Sequence, residues 1–215
     1  MKKLFKTLGI CLLAALVFTS CNKNDNNMDE YYKQLEKQEL RIDSILNAQK
    51  IDIEEYVETH LEGAKEDSIY YNYSYIDKRT KRGLWYRVDS EPTDETYDYK
   101  VNSSATALIY PTVKLKYSAK LLSGETVESD TEGSIYNFGV SSSKINSAWI
   151  ISFFPYSIKL NGNDIVVGGL TKNGLKKGSK ITVVTPSPFA YGSTAQSSIP
   201  ANSPLVYEFE VLSIE

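Results

Sequence analysis

The last eleven residues, Leu205-Val-Tyr-Glu-Phe-Glu-Val-Leu-Ser-Ile-Glu215, alternate as a half-covered β-strand alternates. Leu205, Tyr207, Phe209 and Val211 share one face, and Glu208 and Glu210 the other. Such a strand needs neighbours of the same period. Leu84, Tyr86 and Val88 supply one, and Val113, Leu115, Tyr117 and Ala119 another. Leu122-Ser-Gly-Glu125 turns the chain, and Thr126-Val-Glu returns it. Ile181-Thr-Val-Val184 is a further strand. Ile145 to Phe154 is short, very apolar and closed by Pro155, with Ser147 placed to cap a helix. Together these predict an α+β domain, an antiparallel sheet against one short helix. Ser90 to Ser104 reads as loop, and the glycine-rich stretch Lys159 to Lys180 should loop as well.

A helical arm precedes the sheet. From Asp29 to about Leu61, Tyr31/Tyr32, Leu35, Ile42, Ile45/Leu46, Ile53, Tyr56/Val57 and Leu61 recur at near-helical spacing. Gly63 is a plausible stop. Leu35 and Ile42 share a heptad position, but Gln49 breaks the series, so a long coiled coil is not supported. Two readings stay open: an amphipathic arm packed on its own domain, or a dimerising or spacing arm. Ala64 to Lys81 is polar and tyrosine-rich and reads as a linker with one strand in it.

The first residues read as a targeting segment. Met1-Lys-Lys-Leu-Phe-Lys6 is a basic stretch, and Leu8 to Phe18 is apolar but too short to span a bilayer. Phe18-Thr-Ser-Cys21 resembles a bacterial lipobox, with Phe18 where Leu or Val is usual. The alternative is an ordinary signal peptide. The lipobox reading makes Cys21 the lipidated residue and places the protein in the cell envelope, on the outer membrane facing periplasm or surface. The expected division is 1–21 signal peptide, 22–62 tether and helix, 63–81 linker and 82–215 folded domain.

Composition removes several functions. A net charge of -3 provides no basic patch for nucleic acid. With Cys11 in the signal and Cys21 lipidated, no thiol remains for catalysis or zinc. His60 is the only histidine and lies in the arm, so a Ser-His-Asp triad is not expected. Gly169-Leu-Thr-Lys-Asn-Gly174 has the glycine spacing of a phosphate loop, but Leu175 stands where Lys is needed. Among Glu125, Glu128, Asp130 and Glu132 no spacing singles out an acid/base pair, and the stretch reads as solvated loop. The 16 tyrosines suit aromatic walls in a β-rich domain.

Several short segments, in order, resemble the FKBP-type peptidyl-prolyl cis-trans isomerases. Gly83-Leu-Trp-Tyr-Arg-Val88 resembles the family's leading strand. Tyr117-Ser-Ala-Lys-Leu-Leu-Ser-Gly124-Glu-Thr-Val127-Glu128-Ser129 resembles its Tyr-x-Gly-x-Leu-x-x-Gly-x-x-Phe-Asp-Ser hairpin. Ser134-Ile-Tyr136-Asn-Phe138 and Lys144-Ile145-Asn146-Ser-Ala-Trp149 resemble its Pro-Phe-x-Phe strand and Val-Ile-x-Gly-Trp helix start. Gly174-Leu-Lys-Lys-Gly178-Ser-Lys180 resembles the Met-x-x-Gly-x-Lys turn, and Ala190-Tyr191-Gly192 followed by Ile199-Pro200 resembles the family's last loop.

The resemblance implies an FKBP-like half-barrel sheet wrapped on one short helix, and an apolar pocket for proline. It assigns Tyr117, Glu128, Trp149 and Tyr191 to catalysis, and Val127, Tyr136, Phe138, Ile145, Asn146, Ile199 and Tyr207 to substrate binding. Trp149 would be the floor. The Asn146 N–H and the Tyr191 hydroxyl would meet substrate carbonyls. No cofactor and no metal are implied, and the partners would be proline-containing polypeptides. The chain departs from the pattern at Val127 (for Phe), Glu128 (for Asp) and Ala119 (for Gly), and by an insertion of about fifteen residues between Phe154 and Gly169. A non-catalytic peptide-binding or chaperone module, and a pocket filled by the insertion, are the rival readings.

Overall fold

The structure, a computed structural model, describes residues 26–215. The expected signal peptide and Cys21 lie outside the described residues. The described residues open with helix α1 (Asn26–His60). Short strands follow: β1 (Lys65–Glu66), β2 (Tyr70–Asn72), β3 (Arg79–Lys81), β4 (Trp85–Ser90), β5 (Lys100–Val101) and β6 (Leu108–Ile109). The long hairpin β7 (Thr112–Leu121) and β8 (Thr126–Asn137) leads to helix α2 (Ser147–Phe153). Then come β9 (Ser157–Leu160), β10 (Asn163–Val166), β11 (Lys180–Thr185), a 3-10 turn (Ser187–Phe189) and β12 (Leu205–Ile214).

Six strands form one antiparallel sheet in the order β1-β4-β11-β12-β7-β8. One face carries Val113, Leu115, Tyr117, Ala119, Ile181, Val183, Leu205, Tyr207, Phe209 and Val211, all buried. This face packs on α2 through Ala148, Trp149 and Phe153. The other face carries Val184 and Val206, paired in register across β11 and β12. Ile53 and Val57 of α1, and Leu61 just after it, cover them. β11 is therefore buried on both faces, which explains its unbroken apolar run. α1 packs on its own domain, as one of the two readings of the arm expected.

The sequence expectations fail in three places. The 63–81 segment, read as a linker with one strand, holds three short strands and is built into the domain. β1 extends the large sheet beside β4, and β2 pairs with β3. Ser90 to Ser104, read as loop, ends in β5, which pairs with β6. The 159–180 stretch, read as loop, begins with most of a hairpin. Leu160 pairs directly with Asn163, leaving Asn161-Gly162 as a two-residue turn with φ of 51° and 80°. Both are left-handed, the geometry Asn-Gly supplies for a hairpin.

Candidate functional site

α2 exists because its first turn is capped. The Asn146 side chain accepts from the N–H groups of Ala148 at 3.1 Å and Trp149 at 3.4 Å. The cap is thus Asn146 rather than the expected Ser147, which is already the first helical residue while Asn146 is extended. The same side chain donates through Nδ2 to the Tyr207 hydroxyl at 2.9 Å. One residue therefore fixes both the start of α2 and a side chain of β12. The helix ends at Phe153, since Phe154 is extended and Pro155 follows.

The cap aims Trp149 into a nest of rings. Tyr117 lies 4.8 Å away centre to centre, Phe209 5.0 Å, Tyr136 5.3 Å, Phe138 6.2 Å and Tyr207 6.3 Å. Most of these pairs are tilted or edge-on, the arrangement the ring quadrupole favours. The indole is 0 % exposed. Its N–H is near enough to Tyr207 to affect that phenol, yet makes no hydrogen bond of good geometry. A buried donor left this way costs about 1–3 kcal/mol.

Hydroxyls and carboxylates gather beside these rings. Tyr191 donates to Glu128 at 3.1 Å and Tyr117 to the same oxygen at 3.4 Å. Tyr136 donates to Asp130 at 2.8 Å. Burial, followed by the neighbouring carboxylates and phenols, pushes the Tyr117 and Tyr191 phenols well up. Burial raises Tyr136 and Tyr207 to about 12. All four keep their protons at neutral pH; Tyr117, Tyr136 and Tyr191 serve as donors, whereas the Tyr207 hydroxyl accepts from Asn146.

The structure brings all eleven expected pocket residues to one region. Trp149, Tyr117, Phe138, Ile199 and Tyr207 are buried. Val127, Glu128, Tyr136, Ile145, Asn146 and Tyr191 are half-buried around them. Two expectations change. The Tyr191 hydroxyl, expected to meet a substrate carbonyl, already donates to Glu128, so a substrate must displace that bond. The floor is covered rather than open: no indole surface is exposed, and the half-buried Tyr136 ring lies 5.3 Å from it. Phe154 and Tyr156 do not fill the pocket. Phe154 packs on Tyr99 and Tyr110, and Tyr156 is exposed.

Asp130, read from sequence as part of a solvated loop, is a structural member of β8. Opposite β7, the register slips between Leu115/Ser134 and Tyr117/Asp130, which leaves Thr131-Glu132-Gly133 as a bulge. The Asp130 carboxylate closes it by accepting from the N–H groups of Gly133 at 2.8 Å and Ser134 at 2.9 Å. Its signal was Asp130-x-x-Gly133, with Gly133 at φ 87°. Hydrogen bonds from Ser134, Gly133 and Tyr136 hold the carboxyl down to about 2 from its ordinary 3.8. A depressed carboxyl stabilises the fold above its unfolded value and loses that contribution as pH falls through its folded value. Asp130→Asn is therefore expected to be less stable than the parent at pH 5, and the gap in unfolding midpoint should close between about pH 4 and pH 2. A gap independent of pH in a denaturation series would refute this.

A half-barrel sheet curled on one short helix, with an indole beneath tyrosines, defines the FKBP-like fold class. The sequence pattern of the FKBP-type peptidyl-prolyl cis-trans isomerases matches residues 104–212, half of the chain. The chain belongs to that family. It is 29% identical over 121 residues to FK506-binding protein 3 of Candida albicans, covering 56% of this chain and 24% of that protein. It is 29% identical over 117 residues to the FKBP-type peptidyl-prolyl cis-trans isomerase FkpA of Escherichia coli, covering 54% of this chain and 40% of that one. The crystal structure of Escherichia coli FkpA superposes with a TM-score of 0.48 at 20% identity, covering 90% of this chain and 74% of that one. The chain thus spans less than half the length of the curated relatives it matches.

Proposed function

We propose that this protein is a peptidyl-prolyl isomerase acting on Xaa-Pro bonds of exported polypeptides. The observation that carries the reading is the apolar nest around Trp149 bordered by protonated tyrosine donors. An Xaa-Pro bond resists rotation because resonance gives its C–N bond double-bond character, with a barrier of about 18–20 kcal/mol. A dry, apolar niche disfavours the charge-separated resonance form. Donors that fit the twisted amide better than the planar one add differential binding. No nucleophile is needed. Tyr191, released from Glu128, is the donor best placed for the substrate carbonyl, and Glu128 retains Tyr117.

The test is spectroscopic, following cis-to-trans exchange of a short Xaa-Pro peptide. The full chain should accelerate it, and Tyr191→Phe should lower kcat/KM about tenfold, the worth of roughly 1.4 kcal/mol of transition-state binding. No acceleration above the uncatalysed rate sinks the reading.

A second reading, a non-catalytic peptide-binding or chaperone module, is favoured by the small Val127 and the covered indole. It keeps affinity without rate enhancement. Peptide titration followed by Trp149 fluorescence in a Trp85→Phe background separates the two. The lipobox reading of Cys21 adds that the site works on an envelope membrane. Metabolic labelling with a fatty acid, lost in Cys21→Ala, would support that anchor.

A further inference from the structure

Gln49 is 8 % exposed, a polar residue under the apolar seam of α1 between Leu46 and Ile53. Its carboxamide is fully used. Nε2 donates to the Ser187 hydroxyl at 2.9 Å and to the Asn202 carbonyl at 2.8 Å. Oε1 accepts from the Ser187 backbone N–H at 2.8 Å. A backbone N–H can only donate and a carbonyl only accept, so the orientation of the amide is fixed by its partners.

Ser187 and Asn202 bracket the stretch that carries Tyr191 and Ile199. Within it, the Gly192 N–H donates to the Ser187 carbonyl and the Asn202 N–H to the Gly192 carbonyl, each at 2.8 Å. Gln49 closes this into a ring of hydrogen bonds that includes the residue after Tyr191. Apart from the 3-10 turn and the Gln196–Ile199 bridge, which is internal to the loop, 186–204 has no regular structure to hold it. Docking of the helix alone does not require a glutamine. Ile53, Val57 and Leu61 already seat α1 on Val184 and Val206, and burying an amide is unfavourable unless its hydrogen bonds are returned. An apolar residue at 49 would extend the seam but leave the Ser187 N–H and Asn202 carbonyl unmet.

We propose that Gln49 is a positioning residue for the pocket: through Ser187 and Asn202 it holds the Tyr191–Ile199 loop in its binding-competent arrangement, and so makes helix α1 part of the site. The catalytic consequence rests on the isomerase reading above, whereas the clamp itself does not.

The experiment compares Gln49→Ala with Leu61→Ala in the full chain. Leu61, the residue after α1, is in the same seam, about 18 Å further along, and its apolar cluster includes no residue of the loop. Amide hydrogen exchange should quicken at Gly192 and Asn202 by about tenfold in Gln49→Ala, beyond any change in global stability. Leu61→Ala should show no such local excess. Ser187→Ala, which removes one bond of the three, should move the same amides less, and decides the matter should Gln49→Ala fold poorly. With an Xaa-Pro peptide, Gln49→Ala should raise KM about tenfold at unchanged kcat, because the competent loop becomes a minor population. Equal exchange at Gly192 and Asn202 in Gln49→Ala and Leu61→Ala, or no excess in Ser187→Ala, overturns the clamp. A parent protein without isomerase activity overturns the function instead, and the exchange result still stands.

Discussion

Trp149→Ala is expected to lower unfolding free energy by about 3–5 kcal/mol, the cost of emptying a fully packed aromatic site. The indole touches both the helix and the sheet side of the core. Tyr117 and Phe209 lie edge-on to it from neighbouring strands, and Phe153 stacks one turn along α2. No single neighbour can collapse into the hole, since each is anchored on a different element. Loss of activity in this variant would therefore report on folding as much as on catalysis. Trp149→Phe separates the two. It keeps an aromatic ring and discards an N–H that makes no good hydrogen bond, so its stability should fall far less. If the indole is the surface on which proline turns, Trp149→Phe should still lower kcat/KM by about ten- to a hundredfold, or roughly 1.4–2.8 kcal/mol. Denaturant unfolding and the peptide assay, run on both variants, give the answer. Full activity in a folded Trp149→Phe protein would remove the indole from the mechanism.

The parts of this fold that were legible share one property: their pattern is long enough to repeat. β7 and β12 show period two over ten residues each, and α1 shows helical spacing over several turns. β1, β2, β3, β5 and β6 have only two or three residues and no period to read. They are set by partners across the fold. The β9–β10 hairpin was within reach, because Asn161-Gly162 is the strongest short hairpin signal. Four glycines nearby masked it.

The site divides in the same way. Tyr117, Trp149, Tyr191 and Tyr207 were reached by resemblance of motifs; the rings of Tyr117 and Tyr207 do meet the indole, and Tyr191 joins Tyr117 at Glu128. Asp130 and Gln49 were not. Asp130 looked like one acid among several because its role is to close a bulge, and the short Asp130-x-x-Gly133 spacing that signals it is easily passed over without the register. Gln49 looked like a broken heptad because its partners, Ser187 and Asn202, are 138 and 153 residues away.

Arg82→Ala should rank with Trp149→Ala in cost although it touches no pocket residue. Arg82 Nε donates to Asp67 Oδ2 at 2.5 Å and its Nη2 to the Gly168 carbonyl at 2.8 Å. Both side chains are nearly buried, 10% and 3% exposed. Asp67 also receives the Ile69 N–H at 3.0 Å. This pair joins the segment after α1 to the end of the β9–β10 insertion, so it ties both unforeseen parts of the fold to the start of β4. Removing the guanidinium leaves a buried carboxylate without its counter-charge and a backbone carbonyl without its side-chain donor, which typically costs about 3–5 kcal/mol. In a chain of this size that lowers the melting temperature by about 10 °C or more. The size of the loss does not measure the worth of the pair, because desolvating both charges offsets much of their attraction. The double variant Arg82→Met/Asp67→Leu should accordingly recover most of the stability that Arg82→Ala loses. Thermal unfolding of the parent, single and double variants decides it. A single variant within about 1 kcal/mol of the parent would show that water reaches the pair and that the two segments are held by packing alone.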